Sequence, residues 1–245
     1  MHTKIWAHRG FSSEAPENTL SAFKKAIDCG ADGIELDVHL SGSGEVVVLH
    51  DERIDRTSSG SGLVSDFTLD ELRRFDFSYK RNEFAGERIP TLAEVYALIS
   101  PSKLTINVEL KAGALPEPEM IASLARLERE YGMADRLIYS SFNHYSLLML
   151  KEALPHAKLG LLYSCGFAYP WKYAREIGAD ALHPMQQNLM IPDYVTESHS
   201  LGVKVHPWTV DDPADMEKLI RLGCDAIITN KPALAMEVRA KVENE

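Results

Sequence analysis

Glu35, Asp37 and His50 lie in one short stretch of the chain, Gly33–Asp51, in a pattern that suits metal binding or proton transfer. Apolar and polar residues alternate strictly in its first half, so a strand there presents Glu35 and Asp37 on one face. Apolar residues surround that face, and an unpaired carboxylate beside a hydrophobic core is energetically costly. The second half ends in His50-Asp51, and the ordinary pKa of a histidine lies near neutrality. The stretch suggests a buried polar site, and a polar hairpin with a hydrogen-bonded histidine is the alternative.

A third carboxylate, Glu109, is two residues from Lys111, so both side chains lie on the same face of a predicted strand. If Glu109 joins Glu35 and Asp37, three negative charges converge, which is costly unless a cation lies among them. Ligands that are all oxygen atoms suit Mg²⁺ or Ca²⁺ rather than zinc. We therefore predict one divalent cation, Mg²⁺ or Ca²⁺, bound by these three residues. Ion pairs with Arg9 and Lys111 alone are the alternative.

Positive charge near these carboxylates would allow the site to bind a phosphate although the chain is acidic. A divalent cation together with Arg9 and Lys111 makes the local formal charge slightly positive, and both side chains bind phosphate oxygens well. His8 and His50 can donate or accept a proton near neutral pH. A single histidine is more often structural, whereas two at the edge of one metal site indicate acid/base catalysis.

Composition and charge restrict the class of protein. The chain has 245 residues, of which 45% are hydrophobic, and it lacks internal repeats, so we predict one globular domain over residues 1–245. The formal net charge of −10 argues against binding to nucleic acid or to anionic membranes, which requires a basic surface. The first residues lack the apolar run of a signal peptide, and no segment approaches the ~18 apolar residues of a membrane span. We expect a cytoplasmic protein without stable membrane association.

The cysteines do not indicate a crosslinked or zinc-binding protein. Cys29, Cys165 and Cys224 are far apart, odd in number and without CxxC spacing. We expect all three to be small core residues.

A strand–loop–helix unit recurs along the chain and supplies the elements that must position the polar residues. The first unit is a strand at Ile5–Ala7 and a helix at Thr19–Cys29, and a strand at Ile34–Asp37 begins the second. Six further strands, each followed by a helical pattern, are predicted at Leu104–Glu109, Leu137–Ser140, Leu159–Tyr163, Ala181–His183, Val203–His206 and Ala226–Thr229. Eight strands alternating with helices predict a (β/α)₈ TIM barrel. An open doubly wound sheet is the alternative, but no Gly-x-Gly-x-x-Gly motif follows the first strand.

Chemistry in a barrel of this type lies at the carboxyl ends of the strands. The charged residues at those ends concentrate on the first three predicted strands: His8 and Arg9, Glu35 and Asp37, and Glu109 and Lys111. The barrel therefore predicts that the candidate residues meet at one edge.

The second strand is expected to return as a hairpin. The link Ser41–Glu45 is too short for the crossover that a parallel partner would require, so Val46–Leu49 must pair antiparallel. If the turn is centred on Ser43–Gly44, His50 lies directly opposite Asp37.

Residues from about 51 to 90 form an insertion before a helix at Leu92–Ile99. Such a length is unusual for a barrel loop, and long loops in compact domains are mostly functional or disordered. A small helix is predicted at Leu69–Phe75. The aromatic residues favour a packed subdomain over disorder: Phe67, Phe75, Phe77, Tyr79 and Phe84.

Eight short motifs occur in series from Ala7 to about Pro232: His8-Arg9-Gly10, Pro16-Glu17-Asn18-Thr19, Glu35-Leu36-Asp37, His50-Asp51, Ile89-Pro90-Thr91-Leu92, Glu109-Leu110-Lys111, Ser141-Phe142 and Trp208-Thr209. Their order and spacing resemble the glycerophosphodiester phosphodiesterase family over nearly the whole chain, and the insertion is similar too. Each motif is weak alone, but the series is specific. One late strand end departs from the pattern, with Asn230 where aspartate is expected.

The resemblance implies a metal-dependent phosphodiesterase that releases an alcohol from a small-molecule glycerophosphodiester and leaves glycerol 3-phosphate. By position, Glu35, Asp37 and Glu109 match the family's metal ligands. His8 and His50 match its acid/base pair.

The resemblance also assigns residues to the substrate. Arg9 and Lys111 match residues that hold the phosphate, and Trp208 matches the wall on the glycerol side. Glu17 and Asn18 match the family pattern and are expected to support the site rather than to react.

The mechanism implied is in-line displacement at phosphorus, with one histidine taking a proton and the other protonating the leaving alcohol. The nucleophile is either the glycerol 2-hydroxyl or a water molecule. Two alternatives are a related barrel phospholipase that acts on lipid phosphodiesters and a non-catalytic phosphodiester-binding barrel.

Overall fold

Strands and helices alternate along the chain in the computed structural model, which describes residues 2–113 and 115–245. The strands are β1 (Lys4–His8), β2 (Gly33–Leu40), β3 (Val46–Val48), β4 (Thr105–Leu110), β5 (Leu137–Ser141), β6 (Lys158–Tyr163), β7 (Ala181–Pro184), β8 (Lys204–Val205) and β9 (Ala226–Thr229). The helices are α1 (Leu20–Asp28), α2 (Leu69–Leu72), α3 (Leu92–Ile99), α4 (Pro118–Tyr131), α5 (His144–Ala153), α6 (Pro170–Ile177), α7 (Tyr194–Ser200), α8 (Pro213–Arg221) and α9 (Pro232–Glu243).

Eight strands lie side by side in the parallel order β8-β7-β6-β5-β4-β2-β1-β9. Backbone hydrogen bonds connect the two ends of this order. The Asp225 N–H donates to Val205 O (3.1 Å), and the Ile228 N–H donates to Pro207 O (3.0 Å). The sheet is therefore a nearly closed barrel with helices outside it. The predicted (β/α)₈ TIM barrel is confirmed, and the doubly wound alternative is wrong.

Capping residues begin several helices at defined positions. At α3, Thr91 Oγ1 accepts the Glu94 N–H (3.2 Å), and the Glu94 carboxylate accepts the Thr91 N–H (2.8 Å), which is a capping box. Asp212 caps α8 through the Ala214 N–H (2.9 Å). None of the helices in residues 2–113 and 115–245 is long and apolar enough to cross a membrane.

The β2–β3 connection is an antiparallel hairpin, as predicted, but its register differs by one residue. Leu40 pairs with Val46, and the Leu49 N–H donates to Asp37 O (3.0 Å). The prediction that His50 lies opposite Asp37 is therefore wrong.

The length of the hairpin loop explains this difference. The Ser41 N–H donates to Glu45 O (2.9 Å), which leaves three residues in the loop instead of two. The third of them, Gly44, has a φ of +89°, a left-handed conformation that glycine adopts readily. A shift of one residue exchanges the two faces of a strand, but His50 lies beyond the end of β3 and still lines the cavity described below.

Residues 51–90 pack as a subdomain with a small hydrophobic cluster of their own, to which Val47 and Leu49 also contribute. Ile54, Leu72 and Phe77 are buried in this cluster. Phe67 and Phe75 pack against it, with ring centroids 5.5 Å apart. The prediction of a packed insertion rather than a disordered one is confirmed.

The three cysteines occupy different environments. Cys224 is buried, Cys29 is partly buried and Cys165 is exposed in the loop after β6, and all three are free thiols. The expectation that all three are core residues is wrong for Cys165.

Candidate active site

A cavity of about 410 Å³ opens at the carboxyl ends of the barrel strands. The residues predicted from the sequence that line it are His8, Arg9, Glu35, His50, Glu109, Lys111 and Trp208. Asn107, Phe142, Leu162, Thr209 and Ile228 complete the lining. Asp37, the remaining predicted residue, lies directly beside two of these side chains.

Three carboxylates meet at this cavity because they occupy one face of two neighbouring strands. Asp37 of β2 pairs in register with Glu109 of β4, and Glu35 is two residues before Asp37, on the same face. One oxygen atom from each carboxylate lies within 4.8 Å of the others, and all three residues are buried. The structure therefore brings the three carboxylates together, while their role as metal ligands stays a prediction.

Two cationic side chains neutralise part of this negative charge. Lys111 Nζ lies 2.5 Å from Glu109 Oε1 and 3.0 Å from Asp37 Oδ1. Arg9 Nε lies 3.4 Å from Asp37 Oδ2, and the Arg9 backbone N–H donates to Glu35 Oε2 (2.9 Å). Within residues 2–113 and 115–245, Glu35 has no lysine or arginine side chain at ion-pair distance, and its Oε1 has no hydrogen-bond partner. Ion pairs alone therefore leave Glu35 without a balancing charge.

The pKa values of the three carboxyl groups differ in direction. Burial and the charges of Asp37 and Glu109 raise the pKa of Glu35 well above its ordinary value. Burial and the Asp37 charge raise the pKa of Glu109 to about 7. Burial opposes ionisation of Asp37 as well, but Lys111 and Arg9 outweigh it and lower the pKa of Asp37. Asp37 is therefore ionised at neutral pH, and additional positive charge beside Glu35 would favour its ionised form.

Two loop residues in the left-handed conformation reach the carboxylates. Arg9 follows β1 with a φ of +56°, and the next residue, Gly10, has a φ of +78°. A Cβ at Gly10 would lie 2.7 Å from Ala22 of α1, so only glycine allows this close packing. Asn18, with a φ of +57°, donates from Nδ2 to Asp37 Oδ2 (2.8 Å). Asparagine adopts this conformation more readily than most residues.

His8 ends β1, and a pair of hydrogen bonds sets its orientation. Asp211 Oδ2 accepts a hydrogen bond from Asn230 Nδ2 (2.5 Å), so the amide oxygen of Asn230 faces His8 and accepts its Nδ1–H (2.8 Å). The neutral ring therefore has its lone pair on Nε2, which lies 3.9 Å from Glu35 Oε2. Burial, followed by the charge of Arg9, lowers the pKa of His8 to about 4.

His50 follows β3 and is held by a chain of ion pairs that includes the insertion. Its Nδ1–H donates to Asp51 Oδ1 (2.7 Å). Arg56 donates from Nε to Asp51 Oδ2 (2.6 Å) and from Nη1 to Glu17 Oε2 (2.7 Å). Glu17 also accepts from Arg9 Nη1 (2.8 Å). Charge-assisted hydrogen bonds thus connect His50 with Arg9. The pKa of Asp51 is lowered to about 2, mainly by its hydrogen bonds from Arg56.

Aromatic side chains form an apolar wall of the cavity. The Trp208 indole N–H donates to His183 O (2.8 Å), which orients the ring. Phe142 packs edge-on against Trp208, with ring centroids 5.7 Å apart. Leu162 and Ile228 also line the cavity.

Sequence reasoning assigned no role to several residues that orient the two histidines. Arg56 comes five residues after Asp51, inside the insertion, and that close spacing is the only local signal for it. The signal for Asn230 is that asparagine stands where the family pattern has aspartate. No local pattern indicates Asp211, which is 19 residues from Asn230.

Comparison with a family model and with curated proteins gives a consistent result. The model of the glycerophosphoryl diester phosphodiesterase family matches residues 8–234. A glycerophosphodiester phosphodiesterase from Caldanaerobacter subterraneus subsp. tengcongensis is 49% identical over 233 residues, which cover 95% of this chain and 96% of the relative.

Solved structures resemble this chain over almost their entire length. A phosphodiesterase from Oleispira antarctica, in complex with the product sn-glycerol-3-phosphate, has a TM-score of 0.91 and 32% identity, covering 96% of each chain. A glycerophosphodiester phosphodiesterase from Agrobacterium tumefaciens has a TM-score of 0.85 and 28% identity, covering 96% of this chain and 99% of its own. The chain therefore belongs to the glycerophosphoryl diester phosphodiesterase family.

Proposed function

We propose that this chain hydrolyses glycerophosphodiesters to glycerol 3-phosphate and an alcohol, using one divalent cation and two histidines. The observation that carries the proposal is the convergence of three buried carboxylates, two cationic side chains and two histidines on one cavity. Family membership makes the chain a phosphodiesterase. The relative from Oleispira antarctica that contains sn-glycerol-3-phosphate supports the same product here.

Glu35, Asp37 and Glu109 would hold the cation, and their chemistry fits Mg²⁺ or Ca²⁺. All three donate oxygen atoms, which both ions prefer. Among the described residues, the buried Glu35 Oε1 has no hydrogen-bond partner, so it is available as a ligand. A bound cation would stabilise the negative charge that develops on the phosphoryl oxygens.

Arg9 and Lys111 would hold the phosphate beside these carboxylates. Glu17 and Asp37 already restrain the Arg9 guanidinium, and Asp37 and Glu109 restrain Lys111. Positive groups that are oriented before the substrate binds stabilise developing charge without further reorganisation. We assign Trp208 to the wall against which the glycerol packs.

His8 and His50 would transfer the protons. Each ring has its Nδ1–H bound, to Asn230 in one case and to Asp51 in the other, so Nε2 is the atom that exchanges a proton with the substrate. One ring takes a proton from the attacking oxygen, and the other protonates the leaving alcohol.

The proposal is tested by incubating the purified chain with glycerophosphocholine and measuring released glycerol 3-phosphate and choline. We expect equal amounts of the two products. Binding without release would favour the non-catalytic alternative, and turnover of intact phosphatidylcholine but not of glycerophosphocholine would favour the phospholipase alternative.

Metal affinity should depend on pH in a direction set by the raised carboxyl pKa values. Glu109, whose pKa is raised to about 7, becomes protonated in the metal-free protein as the pH falls below that value, and the raised pKa of Glu35 acts in the same direction. A cation must displace these protons when it binds. Metal affinity therefore decreases as the pH falls, by up to about tenfold per pH unit for each proton displaced. Calorimetric titration with Mg²⁺ in two buffers of different ionisation enthalpy measures the protons released. No proton release at pH 6 would contradict this prediction.

Arg56 should affect the rate although it contacts no predicted metal ligand. Replacement of Arg56 by Met removes its hydrogen bonds to Asp51 and Glu17, so His50 loses its oriented partner. We expect kcat to fall by about 10- to 100-fold, the usual effect of losing a supporting partner of a functional residue. Mg²⁺ affinity should not change, and the limb of the pH profile that belongs to His50 should shift. Arg53→Met is the matched control, because Arg53 pairs with Asp55 at the surface.

The cytoplasmic location and the absence of nucleic-acid and stable membrane partners stay predictions. They rest on the net charge of −10 and on the sequence pattern. The proposed substrate is a small molecule.

A further inference from the structure

Lysine side chains collect at the amino-terminal mouth of the barrel, at the other end from the candidate active site. Lys4, Lys158 and Lys204 are the first residues of β1, β6 and β8, and all three line one open cavity of about 920 Å³. Because the barrel strands are parallel, their first residues lie at the end opposite the three carboxylates. We name these three lysines the lysine layer.

The strand order explains why the three lysines face the same space. β8, β6, β4 and β1 alternate around the barrel, and alternate strands contribute side chains to one interior layer. The first residues of these strands are the three lysines and Thr105. Lys4 shares the face of Trp6, whose buried ring lies against His206 with centroids 4.6 Å apart. Branched apolar residues usually fill such layers, so three cations in one layer indicate a different role.

Little negative charge faces the lysine layer. Lys4 Nζ pairs with Asp32 Oδ1 (3.3 Å). In the part of the chain that the structure describes, neither Lys158 nor Lys204 has a carboxylate at ion-pair distance. Lys158 Nζ instead approaches a backbone oxygen, Asp135 O (3.5 Å). Two of the three ammonium groups therefore keep an uncompensated charge.

Arg136 adds a fourth positive charge to this cavity. Its guanidinium donates to backbone carbonyls at the end of α3 and just before β4, which are neutral acceptors, at distances of 2.9 to 3.2 Å. The carboxylates in the lining are those of Asp135 and Asp225. The formal charge of the lining is therefore +2, in a chain whose net charge is −10. Such a local excess of positive charge attracts small anions.

The same cavity has a buried hydrogen-bond donor in its lining that lacks an acceptor. Trp6 lines the cavity and is 4% exposed. Its indole N–H has no hydrogen-bond partner among residues 2–113 and 115–245. Buried polar groups are nearly always paired, so an unpaired donor indicates a water molecule or a ligand nearby. An anion, or a water ordered by it, would supply this acceptor.

We propose that the lysine layer binds an oligophosphate, an anion of two or three linked phosphoryl groups that is either free or part of a nucleotide. Ammonium groups bind phosphate oxygens through charge-assisted hydrogen bonds. Cations on separate strands suit an anion with several charged groups. A neighbouring cavity of about 750 Å³ shares Lys4 and Thr105 with the mouth and adds Lys103, which lengthens the positive surface.

The charge of the rest of the chain limits the size of this ligand. A net charge of −10 repels a long polyanion such as nucleic acid, which would extend beyond the mouth. A small oligophosphate fits within the two cavities. The inference concerns binding at the amino-terminal mouth alone and does not depend on the proposed function.

The test follows the indole N–H signals of Trp6, Trp171 and Trp208 in nuclear magnetic resonance spectra of the full-length chain. Trp6 lines the mouth and Trp208 lines the candidate active site, so the two signals separate binding at the two ends. Trp6→Phe and Trp208→Phe assign them. Pyrophosphate, tripolyphosphate and inorganic phosphate are titrated without added divalent cations, because such cations bind oligophosphates themselves.

We expect the Trp6 signal to shift with tripolyphosphate and pyrophosphate, and the affinity to fall as the salt concentration rises. Inorganic phosphate should bind at least about tenfold more weakly than tripolyphosphate, because it makes fewer bonds to charged groups. The double variant Lys158→Gln, Lys204→Gln should weaken tripolyphosphate binding by about tenfold or more. An unchanged Trp171 signal in this variant shows that it folds.

Lys24→Gln, Lys172→Gln is the matched control, because it removes the same charge from exposed positions on α1 and α6. Its affinity for tripolyphosphate should stay within about twofold of the unaltered chain, since exposed charges at a distance are largely screened. Equal weakening in both double variants would mean that net charge alone acts, and would overturn the site.

Adenosine triphosphate distinguishes the two sources of the phosphoryl groups. Tighter binding than that of tripolyphosphate would make a nucleotide the occupant, and equal binding would mean that only the phosphoryl groups are recognised; either result, if it depends on Lys158 and Lys204, supports the proposal. A Trp6 signal that does not move at millimolar tripolyphosphate, or a shift confined to Trp208, would overturn it.

Discussion

Alanine in place of Glu35, Asp37 or Glu109 will remove both the bound divalent cation and nearly all turnover. We expect kcat/KM to fall by more than about 10³-fold in each variant, because a catalytic cation contributes several kcal/mol of charge stabilisation. A hard cation bound through so few carboxylates cannot lose one of them without losing affinity. The measurements are metal content after gel filtration and release of glycerol 3-phosphate. Chelation of the unaltered chain should have the same effect, and Mg²⁺ or Ca²⁺ should reverse it.

Glu130→Ala is the control for this series, because Glu130 is an exposed carboxylate paired with Arg126 on the surface of α4. Glu35→Gln keeps the shape of the side chain and so separates loss of charge from loss of fold. Full metal occupancy in one variant would remove that residue from the ligand set. Undiminished activity after exhaustive chelation, verified by metal analysis, would falsify metal dependence altogether.

Alanine in place of His8 or His50 will lower kcat by roughly 10²–10⁴-fold, the usual contribution of a positioned acid or base, while metal binding survives. His8 ends β1 and is held by Asn230, whereas His50 follows β3 and is held by Asp51. In-line displacement needs proton transfer on two sides of phosphorus, because the incoming and leaving oxygens are opposite each other. The pH profile should be bell-shaped, and each single variant should lose one limb.

A substrate with a more acidic leaving alcohol, such as a glycerophospho-nitrophenyl ester, separates the two roles. Such an alcohol leaves without a proton from the general acid. One histidine variant should therefore regain much of its rate with this substrate, and the other should not. Equal impairment of both variants on both substrates would contradict the division of roles, and full activity of either variant would make that histidine structural.

Residue pattern and spacing were sufficient to predict the fold, because each strand–loop–helix unit is specified by residues that are neighbours in the sequence. A short apolar run followed by a helical pattern predicts a strand and a helix wherever it occurs, and eight such units predicted the barrel. The convergence of Glu35, Asp37 and Glu109 was also predictable, because residues two apart share a face and strand ends meet at one edge. The structure brings these carboxylates within 4.8 Å of one another.

The hairpin register shows where local reasoning fails. Loops of two and of three residues both suit a glycine-rich link, and the choice between them moves every pairing by one residue. The hydrogen bond from Ser41 to Glu45 and the left-handed Gly44 select the longer loop. His50 lies beyond the end of β3 and lines the cavity in spite of this shift.

By itself, the sequence determined the residue types of the site, the strands that carry them and the barrel that gathers those strands, because periodicity and spacing are properties of neighbouring residues. Only the tertiary structure decided which groups orient the two histidines. Asp211 meets Asn230, and Arg56 joins Glu17 to Asp51, across separations that no local pattern encodes. Hydrogen bonds require distances near 3 Å, and such distances between remote residues exist only once the barrel closes and the insertion packs.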